Sequence, residues 1–178
     1  MTDLISSALL VLRLLLGLVV LGHGIQKLTF KLGGGGLAQE AAILAKDGIR
    51  GGRLSAAASG LTQIGAGVLC ALGLLTPLAA AGVIGVMIVA AFTKLPHGFW
   101  VQNDGYEFPL FLAVTAAALA LTGPGKWSLD HLITLHPTTA ESVGAVALGV
   151  LSGALSAPLL RDPARQRTHP ANRQETPS

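Results

Sequence analysis

Charge is what this sequence has least of. Asp, Glu, Lys and Arg together make up 12% of its 178 residues, against roughly 25% in ordinary soluble domains. So few charges cannot cover a water-facing surface, and a freely soluble globule is excluded. Aromatic residues amount to 4%, too few for the stacking platforms that hold single-stranded nucleic acid, so no nucleic-acid partner is expected. Cysteine occurs once, as Cys70 inside an apolar stretch. That excludes an intrachain disulfide and any redox chemistry needing a cysteine pair within the chain. The first residues, Met1-Thr2-Asp3, carry no Lys or Arg, and Arg13 interrupts the apolar run behind them. A cleaved signal peptide would begin with a basic segment; the N-terminus reads instead as an uncleaved first span.

What the chain has is apolar length. A helix crosses the hydrocarbon with about 20 residues, and Leu4 to Gly22 supplies one such span. Leu54 to Thr93 runs for 40 residues without a charge. That is room for two spans, and Thr76-Pro77 is the natural break because proline ends a helix and restricts the residue before it. Phe108 to Gly125 gives another, with Pro109 in the first turn, where its missing N–H is harmless, and Gly123-Pro124-Gly125 as its stop. Ser142 to Leu160 is uncharged but diluted by Gly, Ser and Pro158. It reads either as a fifth span or as an Ala-rich soluble or interfacial helix. Within it Ala145, Gly149, Gly153 and Ala157 recur every fourth residue, a helix-packing ladder that would let another backbone approach closely. The expected fold is therefore all-α: a transmembrane helical bundle over residues 1–160, with a four-helix core and a fifth span. Residues 161–178, polar and proline-bearing, are expected to be a disordered tail.

Basic residues orient this arrangement. With five spans, Lys27, Lys31, Lys46, Arg50, Arg53, Lys94, Arg161, Arg165, Arg167 and Arg173 share one side, and Lys126 stands alone on the other. Cytoplasmic loops collect Lys and Arg, which puts the C-terminal tail inside and the N-terminus outside. Four spans would split the same residues almost evenly and orient nothing. Gly33 to Gly36 lacks the Gly-Lys-Ser/Thr of a phosphate-binding loop and reads as a linker. After it, Leu37, Ala41, Leu44 and Gly48 share a face opposite Glu40, Lys46 and Asp47, the pattern of an amphipathic helix lying on the membrane.

Few side chains could carry chemistry. Arg13 sits at mid-span, where charge is expensive and faces the bundle interior. Gly17, Gly24 and Lys27 lie on nearly the same helix face, with His23 at its edge. Two readings stand side by side. In one, this stripe binds a small anion or the polar head of a quinone-like ligand. In the other, Arg13 pairs with a carbonyl or carboxylate and locks the bundle, and Arg13→Leu would then be tolerated. Glu107, Gln63 and the carbonyls ending a neighbouring span are its candidate partners, Glu107 preferred for its bidentate reach. Glu107 could equally cap its own helix. His97-Gly98-Phe99-Trp100 looks like anchoring at headgroup level. The remaining histidines, His131, His136 and His169, show no metal-ligand spacing with the others, so no metal is expected. No catalytic set is visible.

Three stretches together resemble the DoxX family of small bacterial membrane proteins. The first runs from Leu12-Arg13-Leu14 to Gly22-His23-Gly24-Ile25-Gln26-Lys27-Leu28, and the second is Gly73-Leu74-Leu75-Thr76-Pro77. The third joins Gly105-Tyr106-Glu107-Phe108-Pro109 to Gly123-Pro124-Gly125-Lys126-Trp127-Ser128-Leu129-Asp130. The likeness spans residues 9 to 131. It implies a four-helix core in the bacterial cytoplasmic (inner) membrane and a link to redox processes, since relatives include subunits of thiosulfate:quinone oxidoreductase and of complexes that handle oxidative stress. Two function classes follow. One is a non-enzymatic subunit or scaffold for a redox partner protein, or a homo-oligomer; the other is a quinone-linked oxidoreductase subunit with its ligand near Arg13. No cofactor is evident, and quinone is the candidate the resemblance leaves. Gln63 stands where the family often has glutamate, which removes the acid a proton relay would use.

Overall fold

The structure, a computed structural model, describes residues 2–162. Among the described residues seven α-helices follow one another: α1 (Asp3–Leu28), α2 (Gly36–Lys46), α3 (Arg53–Leu72), α4 (Thr76–Lys94), α5 (Glu107–Thr122), the single turn α6 (Leu129–Leu132) and α7 (Thr139–Leu159). Local chemistry sets several of these limits. The Thr2 side chain accepts the Ile5 amide, and Asp3 follows in the first turn, where the helix dipole favours a carboxylate. α7 opens on a capping box between Thr138 and Glu141. α3 stops at Gly73, whose φ of 62° is left-handed and costs glycine nothing.

Among the described residues, four helices are long and apolar enough to cross a membrane: α1, α3, α4 continued to His97, and α7. The stretch left open on sequence, Ser142 to Leu160, is thus a full-length helix. The one that falls short is α5, at 16 residues, about 24 Å against roughly 30 Å of hydrocarbon. Glycine dilution lowered the hydropathy of α7 without shortening it, whereas Gly123-Pro124-Gly125 cuts α5 off. α4 packs against α3, α5 and α7, and α1 against α3.

The packing is that of a protein in lipid. Val11, Leu15, Phe111, Val114 and Leu155 are all at least 60% exposed, an outward ring of apolar side chains that water would not tolerate. The interior is built from small ones, Ala66, Ala79, Ala80, Ala113, Ala116 and Ala120 among them. Glycines set the closest approaches: a Cβ on Gly17 would stand 2.7 Å from the Gly67 carbonyl, and one on Gly67 would stand 2.8 Å from the Gly17 carbonyl. On α7, a Cβ on Gly149 would come within 2.9 Å of the Ala81 carbonyl and one on Gly153 within 2.7 Å of that of Gly85. The small-residue ladder therefore faces α4, with Ala157 buried and Ala145 partly so.

Two expectations need correction. α2 turns Glu40, Ile43, Leu44 and Asp47 toward the bundle, so its carboxylates do not face water. Glu40 pairs with Lys27, and Asp47 lies 3.6 Å from Lys94; the bundle's own lysines outcompete solvent for them. Arg161 and Asp162, grouped with the tail on composition, are held to the loop after α2. Ile49 and Arg161 form an antiparallel bridge, and the Asp162 amide donates to the Gly48 carbonyl at 2.8 Å. The remaining tail lies outside the described residues.

Candidate functional site

Buried polarity gathers at two places, one toward each end of the bundle. The first begins with the shortness of α5. Because that helix stops early, the irregular backbone from Gly123 to Ser128 sits against α1 at the level of Ser6, Leu9 and Arg13. Non-helical backbone at membrane depth is tolerated only where protein satisfies its polar groups. Arg13, 3% exposed, does so: Nη1 donates to the Pro124 carbonyl at 2.9 Å and Nη2 to that of Trp127.

Opposite it lies Asp130, fully buried. Its Oδ1 accepts the Leu75 amide at 2.7 Å, and Oδ2 accepts both the Thr76 amide at 2.9 Å and the Thr76 hydroxyl at 2.7 Å. α4 begins without a side-chain cap of its own, and Leu75 before it is left-handed at φ 47°. A remote carboxylate therefore does what an N-cap residue does elsewhere. The Asp130 amide in turn donates to the Gly73 carbonyl at 2.9 Å. Gly73 fits between the charges: a Cβ there would lie 2.2 Å from Arg13 Nη1 and 2.7 Å from the Ser128 Cβ. Arg13 and Asp130 thus meet the same turn at Gly73.

The second place is a cavity of about 590 Å³ between α3, α4 and α7 at the opposite, lysine-rich end, roofed by α2. Gln63 lies in its wall, 4% exposed, and its Oε1 has no hydrogen-bond partner. Ser55, Ser59 and Thr62 continue that wall along α3, with Ser152 and Ser156 across from them on α7. The Lys27–Glu40 and Lys94–Asp47 pairs stand at the mouth.

The ligand candidates from sequence thus separate. Lys27 and Gln63 line one cavity. Arg13 is in the knot. His23 packs edge-on to Phe108, ring centres 5.6 Å apart. His97 is in the loop after α4, its Nδ1 3.8 Å from Asp104, whose carboxyl is held below the usual aspartate range by the hydrogen bond from Lys94. Glu107, the preferred partner for Arg13, accepts the Val101 amide at 2.9 Å instead. It starts α5, and Arg13 meets the segment that follows the end of that helix, so the two cannot touch. Asp130 was missed as a functional residue on sequence, although a signal existed: a helix start at Thr76-Pro77 with no capping side chain needs an acceptor from elsewhere. Among the described residues no three metal-ligating side chains cluster.

Comparison with known proteins agrees with the architecture. The DoxX family model matches residues 8–95, which hold the first two of the three stretches. The chain is also 33% identical over 140 residues to the uncharacterised membrane protein Rv3486 of Mycobacterium tuberculosis, covering 71% of this chain and 82% of that protein. No solved structure matches. A bundle of apolar helices pinned by Arg13, matched by the family over α1 to α4 and by a membrane-protein relative over most of its length, places this chain in the DoxX family.

Proposed function

We propose that the protein is a non-enzymatic membrane subunit or scaffold that supports a redox or oxidative-stress complex in the bacterial cytoplasmic membrane. One observation carries the non-enzymatic part: the deepest charged groups, Arg13 and Asp130, are used on the protein's own main chain. A ligand-binding arginine at a reaction centre would present its fork to open space. The redox association rests on the family resemblance, and the orientation on the ten-to-one split of basic residues. Quinone binding beside Arg13 has less support, because both terminal nitrogens face carbonyls and Gly73 fills the space beside Nη1.

Native mass spectrometry of the gently extracted full chain tests the proposal. The expected result is a stoichiometric complex with a partner subunit that carries a flavin, haem or reactive cysteine pair. A chain that runs alone or as a homo-oligomer, with quinone bound and reduced by an added donor, would overturn it in favour of the quinone-linked oxidoreductase.

A further inference from the structure

We infer that the cavity roofed by α2 is a binding site for an uncharged amphiphile whose head carries a hydroxyl, the head lying at Gln63 and the apolar body along α4. The inference is independent of the redox reading above. At about 590 Å³ the space falls within the range of small-molecule sites. Gln63 is the second, separate pointer. Its side chain is almost wholly buried, yet Oε1 has no partner, and in a hydrocarbon environment an unmade hydrogen bond is especially unfavourable. A ligand hydroxyl would complete it.

The chemistry of the walls narrows the ligand. Ser55 donates its proton to the Arg50 carbonyl at 2.6 Å, and Ser152 donates to that of Gly149 at 3.0 Å. Both therefore offer the cavity acceptor lone pairs, while the hydroxyls of Ser59, Thr62 and Ser156 can donate or accept, so the walls suit a head that does both, as a hydroxyl does. The two cations in the wall, Lys27 and Lys94, are already matched by Glu40 and Asp47. No free charge is left to neutralise a carboxylate or phosphate head, so a neutral ligand is preferred. Along α4, Ala81, Val86, Val89 and Ala90 give the space an apolar wall. Ile49 and Leu160 are also in its wall, and the Ile49–Arg161 bridge ties their two segments together.

Two sources share this chemistry, a neutral membrane lipid with free hydroxyls and a lipid-soluble phenol. The test is a thermal-shift and binding titration of the full chain in phosphatidylcholine nanodiscs with three probes: 1-monooleoylglycerol, 4-octylphenol and, as the anionic control, oleate at pH 8. Saturable binding of either hydroxylated probe, with little response to oleate, is expected, and the stronger of the two names the source. Val89→Trp, which fills the cavity, should abolish binding. Gln63→Leu should weaken it about tenfold, while melting without probe at the same temperature or higher, because it removes an unpaired acceptor. Oleate binding as tight as the hydroxylated probes, binding that survives Val89→Trp, or no saturable binding would each overturn the proposal. Should Gln63→Leu fail to fold, Gln63→Met and Val89→Trp carry the same test.

Discussion

The two ends of this bundle treat buried polarity in opposite ways. At the end where α5 stops short, two full charges are enclosed, and the terminal nitrogens of one and both oxygens of the other are taken up by main-chain groups. At the lysine-rich end the charges stay at the rim as ion pairs, and the polar group inside is a neutral amide with an unused acceptor. The first arrangement is closed: it ties the chain to itself and leaves a single buried donor, Arg13 Nε, without a partner. The second is open, a space with walls but no content of its own. The difference follows from backbone. Irregular chain at depth demands donors and acceptors from somewhere, whereas the regular helices around the cavity satisfy themselves and free their side chains.

The largest effect should come from breaking the closed end. Asp130→Ala leaves two amides and a hydroxyl without their acceptor at the start of α4 and should cost about 3–5 kcal/mol, read as a large fall in Tm in detergent. Arg13→Leu should be nearly as severe, because the Pro124 and Trp127 carbonyls lose their donor. That reverses the expectation, drawn from a lone mid-span charge, that leucine would be tolerated. Next comes Gly73→Ala. The left-handed φ of 62° and the 2.2 Å approach to Arg13 Nη1 together predict a loss of about 2–3 kcal/mol, measured in the same melt.

Helix packing should respond less. Gly149→Leu and Gly153→Leu push α7 away from the α4 carbonyls and should cost about 1–3 kcal/mol each, with weaker crosslinking between cysteines placed on the two helices. Gly144, on the same helix, has nothing within 4 Å of where a Cβ would go, so Gly144→Leu is the matched control and should be silent. The smallest effect lies in the loop after α4. Asp104 has a depressed carboxyl because of its hydrogen bond from Lys94. Its contribution is therefore complete at neutral pH and is lost only as pH falls below the ordinary aspartate range, about 4. Hydrogen exchange at Gly105 and Tyr106 should quicken there, and in Asp104→Asn at every pH, with almost no change in Tm, since exposed pairs contribute little.

Periodicity and charge counting found the helices because lipid imposes simple rules: apolar length, proline and glycine stops, basic residues on one side. They also singled out Arg13, whose isolation in an apolar run is visible in one dimension. They could not find its partners. The Pro124 and Trp127 carbonyls are main-chain groups more than a hundred residues away, and every residue has a carbonyl. Glu107 was the natural guess only because side chains are what a sequence displays. Asp130 failed to stand out for a related reason, since an acid in a polar loop looks solvated until the loop is seen folded against α1. Lys27 and Gln63 each stand out in the sequence, but their shared cavity does not, because α2 roofs it by turning its carboxylates inward, against the rule that charged faces seek water.

The claim that the closed end is one structural unit is tested most directly by a double-mutant cycle in thermal unfolding, combining Arg13→Gln with Asp130→Asn. The two side chains share the segment around Gly73 and Ser128, so the losses should be strongly non-additive, with the double variant less destabilised than the sum of the singles by about 1–3 kcal/mol. Additive losses, or an Arg13→Gln variant that melts like the parent protein, would contradict the account and return Arg13 to the role of a ligand-binding residue.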